Sequence, residues 1–115
     1  MVTTNCLTGR ACYLTEKHDR QRLLDIVRAS SSLPYVSKIV NVDGIPMLDG
    51  GIVDSIPVMR AMEQGHHKNV VVLTRNYGFR SKEKDHKIPR FVYKNYPRLR
   101  VVLSHRCELT TANLK

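Results

Sequence analysis

The segment 39–51 constrains the fold more than any other. Ile39-Val40-Asn41-Val42 and Ile45-Pro46-Met47-Leu48 are two short apolar runs separated by Asp43-Gly44. An Asp-Gly pair supplies the two positive φ angles that a type I′ turn requires, so the pattern predicts a β-hairpin. Pro46 has no N–H to donate, which predicts an unpaired edge on one side of that hairpin. Asp49-Gly50-Gly51 follows directly, so the second strand is expected to end abruptly at a carboxylate followed by two residues without a Cβ.

The flanks alternate between strand and helix signals. Residues 1–14 predict a strand, a turn at Thr8-Gly9-Arg10 and a second short strand through Ala11–Leu14. Asp19 is a good N-cap for a helix that carries Leu23, Ile26 and Val27 on one face. Ser30-Ser31-Ser32 ahead of Pro34 ends it, because serine competes for backbone bonds and proline disfavours helix before it. Ser55-Ile56-Pro57 opens a second helix with Val58, Ala61 and Met62 as its buried stripe, and Gly65 closes it. Asn69-Val70-Val71-Val72-Leu73-Thr74 shows no alternation, the mark of a strand covered on both faces as in parallel sheets. Residues 75–96 read as a basic connection with a short helix near Phe91. From Pro97 another helix places Leu99, Val102, Leu103 and Leu109 on one side. Such alternation predicts the α/β class.

With 115 residues, 42% hydrophobic and 25% charged, a single domain is expected. It divides into an Asp-bearing sheet and helix core at 1–74 and a basic connection with a C-terminal helix at 75–115. No apolar run reaches the length of a membrane span, and Met1–Cys6 lacks the pattern of a secretory signal. The expected location is cytoplasmic, with peripheral contact to a membrane left open. Cys6, Cys12 and Cys107 form no C-x-x-C pair, so free thiols are favoured over a disulfide between Cys6 and Cys12. His66, His67, His86 and His105 do not fall at finger or ribbon spacing with these cysteines. No Gly-rich phosphate loop is present either. No metal or other cofactor is expected.

Charge separates the two halves. Residues 1–58 balance six Lys/Arg with six acids, whereas residues 59–115 hold 13 bases and four acids, which accounts for the whole net charge of +9. Between Arg75 and Arg106, Tyr77, Phe79, Phe91, Tyr93 and Tyr96 interleave with ten Lys/Arg. Such a stretch suits a solvated face opposite acidic protein, an anionic membrane surface or nucleic acid. The first reading is favoured, and nucleic acid stands last because no nucleic-acid-binding motif accompanies the charge.

Asp49 is the position with chemical potential. Sites in open α/β sheets lie beyond the carboxyl ends of strands, and a carboxylate there can orient or deprotonate a hydroxyl. Asp-Gly-Gly is also an ordinary turn sequence, and by spacing alone the turn is the stronger reading. His66-His67 follows a helix end, where an imidazolium complements the helix dipole, so a structural role is expected.

Read together, Arg28-Ala29-Ser30-Ser31-Ser32-Leu33-Pro34 and Val42–Val58, with Asp49-Gly50-Gly51 at the centre, resemble the bacterial type of patatin-like phospholipase. That family has an R-A-S-x-x-x-P segment, a strand ending in D-G-G or D-G-A, a loop with a polar residue and proline, a helix ending in glycine, and a further strand. Val2-Thr3-Thr4-Asn5 and Thr8-Gly9 are similar to the strand and turn before that segment. The resemblance implies a partial three-layer α/β/α unit with a mostly parallel sheet. It also implies a serine acyl hydrolase acting on lipid or phospholipid esters through a Ser–Asp dyad, without cofactor. Asp49 matches the dyad aspartate, and Gly50 and Gly51 match the glycines that let the chain pass near the nucleophile. The nucleophile itself belongs to a G-x-S-x-G elbow. No two of the six glycines are four positions apart, and the Gly-rich oxyanion loop is missing as well. Neither Ser30, Ser31 and Ser32 nor Ser55 beside Asp54 substitutes for the elbow. The chain is therefore expected to match the C-terminal part of a patatin domain, to need an N-terminal patatin segment as partner, and to be inactive alone.

Overall fold

The computed structural model describes residues 1–73 and 87–105, built on a four-stranded sheet in the order β2-β1-β4-β3. The strands are β1 (Val2–Asn5), β2 (Ala11–Tyr13), β3 (Val40–Val42) and β4 (Ile45–Asp49). All three pairings are antiparallel. The expected mixed α/β character is present, but the expected mostly parallel sheet is not. Two of the pairs are local hairpins, and the third, β1 with β4, brings distant segments together head to tail through Thr3↔Asp49, Thr4↔Leu48 and Asn5↔Met47.

Both hairpins form where the turn residues require them. Asp43 and Gly44 adopt φ of 53° and 76°, the left-handed pair of a type I′ turn. Gly9 takes φ 68° between β1 and β2. Pro46 departs from the edge expectation, since β4 lies between β1 and β3. It is tolerated because it sits one position past the Asn5↔Met47 pair, where β1 turns away, and its carbonyl still accepts from the Cys6 N–H at 2.9 Å.

The parallel strand expected at 69–74 is not formed in the described part, 69–73. Val70 and Val72 are 94% and 83% exposed. An unbroken apolar run reads as a doubly covered strand only if neighbouring strands exist, and nothing in the run itself specifies those neighbours. Thr74, Cys107, Leu109, His86 and the greater part of the basic connection lie outside the described residues.

Helices cover both faces of the sheet. Helix α1 (Arg20–Ser30) starts at Asp19, whose carboxylate accepts from the Gln21 and Arg22 N–H groups, satisfying two of its unbonded first-turn donors. It buries Ile26 and Ala29 against Val42 and Met47. Val27, expected on that face, is 44% exposed, so the contact is made by the i, i+3 pair Ile26 and Ala29. Helix α3 (Pro97–Ser104) packs Leu99 and Leu103 on the opposite face against Cys6, Leu48 and Ile52. The alternation of Met47 and Leu48 between the two clusters is the period-2 signature of β4.

Helix α2 (Val58–Glu63) buries no residue fully, and Met62 of its expected stripe is 43% exposed. Gly65 does close it: with φ 89°, its N–H donates to Met62 and that of His66 to Ala61, the paired bonds of a Schellman motif. The helix expected near Phe91 is instead a pair of turns, with Val92 N–H on the Pro89 carbonyl and Tyr96 N–H on that of Tyr93. Cys6 and Cys12 are free thiols; they pack against opposite faces of the sheet, and burial pushes the Cys6 thiol up to about 11. No helix among the described residues is long and apolar enough to cross a membrane.

Candidate active site

The candidate site is built at the carboxyl end of β4. Two segments hold the Asp49 main chain. Its N–H donates to the Ser32 carbonyl at 2.9 Å, and its carbonyl accepts from Thr4 Oγ1 at 2.8 Å. Ser32 belongs to the loop that leaves α1, and Thr4 is a fully buried residue of β1. The Arg28–Ser32 stretch therefore acts as a brace. Ser30 Oγ donates to the Val2 carbonyl at 2.8 Å, and Ser32 Oγ to the Arg28 carbonyl at 2.7 Å, joining the end of α1 to both β1 and β4.

The Asp49 side chain has a defined orientation. Its Oδ1 accepts from the Gly51 N–H at 2.9 Å, capping the 3₁₀ turn Gly50–Ile52. No hydroxyl or imidazole among the described residues bonds this carboxylate. Oδ2 is left to accept a further proton donor, and Asp49 is only partly buried. Thus the turn role and an available carboxylate oxygen coexist in one residue.

The two glycines differ. A Cβ on Gly50 would lie 2.4 Å from the Val2 carbonyl oxygen, far inside van der Waals contact, so β1 reaches the D-G-G turn only because this residue has no side chain. On Gly51 it would meet Asp49 Oδ1 at 3.4 Å, an ordinary contact. At Gly50 the approaching segment is β1.

The other sequence candidates are engaged structurally. Ser30, Ser31, Ser32 and Ser55 each donate from Oγ to a main-chain carbonyl, Ser31 to Val27 and Ser55 to Gly51. None bonds a carboxylate or imidazole. His66 and His67 are exposed beyond α2. Among the described residues no group of three or more His, Cys, Asp or Glu could hold a metal ion.

One cluster beside the site was not visible in sequence. Tyr13 Oη donates to Asp54 Oδ2 at 2.6 Å, and the Arg60 guanidinium carbon lies 4.9 Å from the Tyr13 ring centre. The bond to Asp54, then burial, pushes the Tyr13 hydroxyl up to about 12. The three residues come from β2, the loop after D-G-G and α2, so no local pattern announces them. Tyr13 and Asp54 border a shallow groove lined also by Ala11, Val53, Ile56 and Met59.

Comparison with known proteins finds similarity over the part of the chain that carries this geometry. Residues 10–62 match the family model of patatin-like phospholipase. Over 56 residues the chain is 46% identical to the uncharacterized protein YjjU of Escherichia coli strain K12, covering 48% of this chain and 16% of that protein. The family match includes the serine brace after α1, the D-G-G turn and most of α2. Residues 10–62 thus mark the part of this chain that is similar to the patatin-like phospholipases.

Proposed function

We propose that this chain carries the acid side of a serine lipid acyl hydrolase site, with Asp49 as the aspartate of a Ser–Asp dyad. The observation that carries the reading is the setting of Asp49 within the family-matched residues: main chain braced by Ser32 and Thr4, Oδ1 fixed by Gly51, Oδ2 without a partner among the described residues. A carboxylate held in this way is preorganised to accept a proton.

In the proposed reaction a serine Oγ attacks the acyl carbon of a lipid or phospholipid ester. The hydroxyl proton passes to Asp49 as the carbonyl electron pair moves onto oxygen, where backbone amides stabilise it. Collapse re-forms the carbonyl and breaks the ester bond. The departing alkoxide takes the proton from Asp49, leaving an acyl-enzyme that water cleaves by the same steps. No serine of these 115 residues lies in a G-x-S-x-G setting, so the nucleophile comes from an N-terminal patatin segment, in another part of the polypeptide or another chain. By itself the 115-residue chain is inactive.

A chimera tests this reading. Residues 10–62 replace the matching stretch of a patatin-like phospholipase of known activity, keeping that enzyme's own serine elbow. The chimera is expected to hydrolyse a lipid ester and to react with a fluorophosphonate, whereas the 115-residue chain does neither. A folded chimera without hydrolase activity, or a serine labelled in the 115-residue chain, contradicts the proposal.

A further inference from the structure

Two surface loops meet at a pair of tyrosines remote in sequence. The Tyr35 N–H donates to Tyr93 Oη at 2.8 Å, and the ring centres lie 5.7 Å apart with a 45° tilt. Both residues adopt left-handed backbone, φ 68° at Tyr35 and 50° at Tyr93, a conformation unfavourable for bulky side chains unless the surroundings enforce it. Arg100 of α3 supplies that enforcement on one side. Its guanidinium donates to the carbonyls of Pro89 at 2.7 Å, Ile88 at 3.1 Å and Val92. The turn at 88–93 is thus fixed in advance.

What these loops present is apolar. Leu33, Tyr35 and Val36 are 48%, 57% and 83% exposed, and Phe91 is 80% exposed. Neither hydrophobic cluster uses Phe91 or Val36, so the fold does not account for them. The same two stretches, 33–38 and 87–105, contain six Lys/Arg and no Asp or Glu. Lys38, Lys87, Arg90 and Lys94 are exposed, and none forms an ion pair among the described residues.

Exposed aromatic and aliphatic side chains on a prefixed turn, accompanied by unpaired bases, match the chemistry of an anionic bilayer surface. Apolar tips enter the boundary between headgroups and acyl chains, and the bases neutralise lipid charge. Nucleic acid would use the bases and stack on the rings, but it offers nothing to Val36 and Leu33. We propose that the 33–38 loop and the 87–94 turn dock this chain on an anionic lipid surface, with Phe91 and Val36 at the apolar boundary and Arg90 and Lys94 against the headgroups. The proposal does not require the acyl-transfer reading.

Co-sedimentation of the full chain with phosphatidylcholine vesicles, with and without about 30% phosphatidylglycerol, tests this. Partition onto the anionic vesicles is expected, falling at least tenfold, to order of magnitude, when salt is raised from about 0.1 to about 0.5 M. Phe91→Ala should lower it about tenfold, and the double change Arg90→Glu/Lys94→Glu by at least about as much. The charge-matched change Lys17→Glu/Arg20→Glu, at the start of α1, should alter it less than about threefold. Circular dichroism confirms that each variant keeps its helices. Equal partition onto neutral vesicles, an unchanged Phe91→Ala, or equal losses in both charge variants overturns the proposal. So does salt-sensitive binding to a DNA duplex with no partition onto anionic vesicles.

Discussion

Gly50 and Val2 interlock: a Cβ on Gly50 would stand 2.4 Å from the Val2 carbonyl oxygen and 2.5 Å from its carbon. The obstacle is backbone of a strand paired on both sides, so it cannot yield as a flexible side chain would. Gly50→Ala is therefore expected to lower stability by about 2–3 kcal/mol. Gly51→Ala, with its nearest contact 3.4 Å from a side-chain oxygen, should change stability by less than about 1 kcal/mol. Urea denaturation of the two variants separates these outcomes, and equal losses contradict the steric account.

Thr4 anchors Asp49 from below. Its hydroxyl is buried and donates to the Asp49 carbonyl at 2.8 Å. Thr4→Val keeps the shape and removes the donor, leaving a partly buried carbonyl with one partner fewer. A loss of about 1–2 kcal/mol is expected, while Thr4→Ser should lose less because it retains the bond. If Thr4→Ser is the worse of the two by the same denaturation measurement, packing rather than the hydrogen bond holds this end of β4.

Glu16 predicts acid sensitivity. Its Oε1 accepts the N–H groups of Lys17, His18 and Asp19 at 2.8, 2.9 and 3.2 Å, and Arg22 donates to Oε2 at 2.7 Å. The His18 amide first, then Arg22, holds the carboxyl near about 2, down from 4.5. The unfolded chain takes up this proton near pH 4.5 and the folded chain only near 2. The stabilisation is thus complete above about 4.5 and lost as pH falls toward 2. Glu16→Gln should unfold at lower temperature at neutral pH, with the difference from the parent closing across that window. Melting curves that stay equally separated down to pH 2 contradict this origin.

Tyr13 titrates in the opposite sense. With its hydroxyl at about 12 against an ordinary 10, the folded form favours the neutral phenol. Its stabilisation is complete below pH 10 and lost as pH rises through about 12. Ultraviolet titration should show a late-ionising tyrosine that Tyr13→Phe removes and Asp54→Asn returns toward the ordinary range. A titration unchanged by Asp54→Asn would remove the carboxylate as its cause.

Local signals in the sequence translated well, and the reason is chemical. Asp43-Gly44 can hardly avoid a tight turn, Asp19 caps the helix it precedes, and Gly65 terminates the one it follows. The strand end at Asp49 and the turn at Gly50 were legible because Asp-Gly-Gly after an apolar strand is an ordinary turn sequence. The pairing of β1 with β4 was not legible. The β1–β4 pairing joins residues more than 40 apart, and neither strand encodes its partner. The run 70–73 had the apolar character of a central strand without neighbours to make it one. The site's braces were hidden for a related reason: Ser32 contributes a main-chain carbonyl, which every residue possesses, and Tyr13 meets Asp54 only through tertiary folding.

The central claim is that Asp49 is the proton-accepting carboxylate of the site. Its most direct test is the kcat/KM for a lipid ester of the chimera bearing residues 10–62, with Asp49 and with Asp49→Asn. Asparagine preserves the volume and can still accept the Gly51 N–H, so the turn should survive while the proton acceptor is lost. A fall of about 10³-fold or more, with unchanged circular dichroism, is predicted. Activity within about tenfold of the parent would contradict the assignment and leave Asp49 as a turn residue alone.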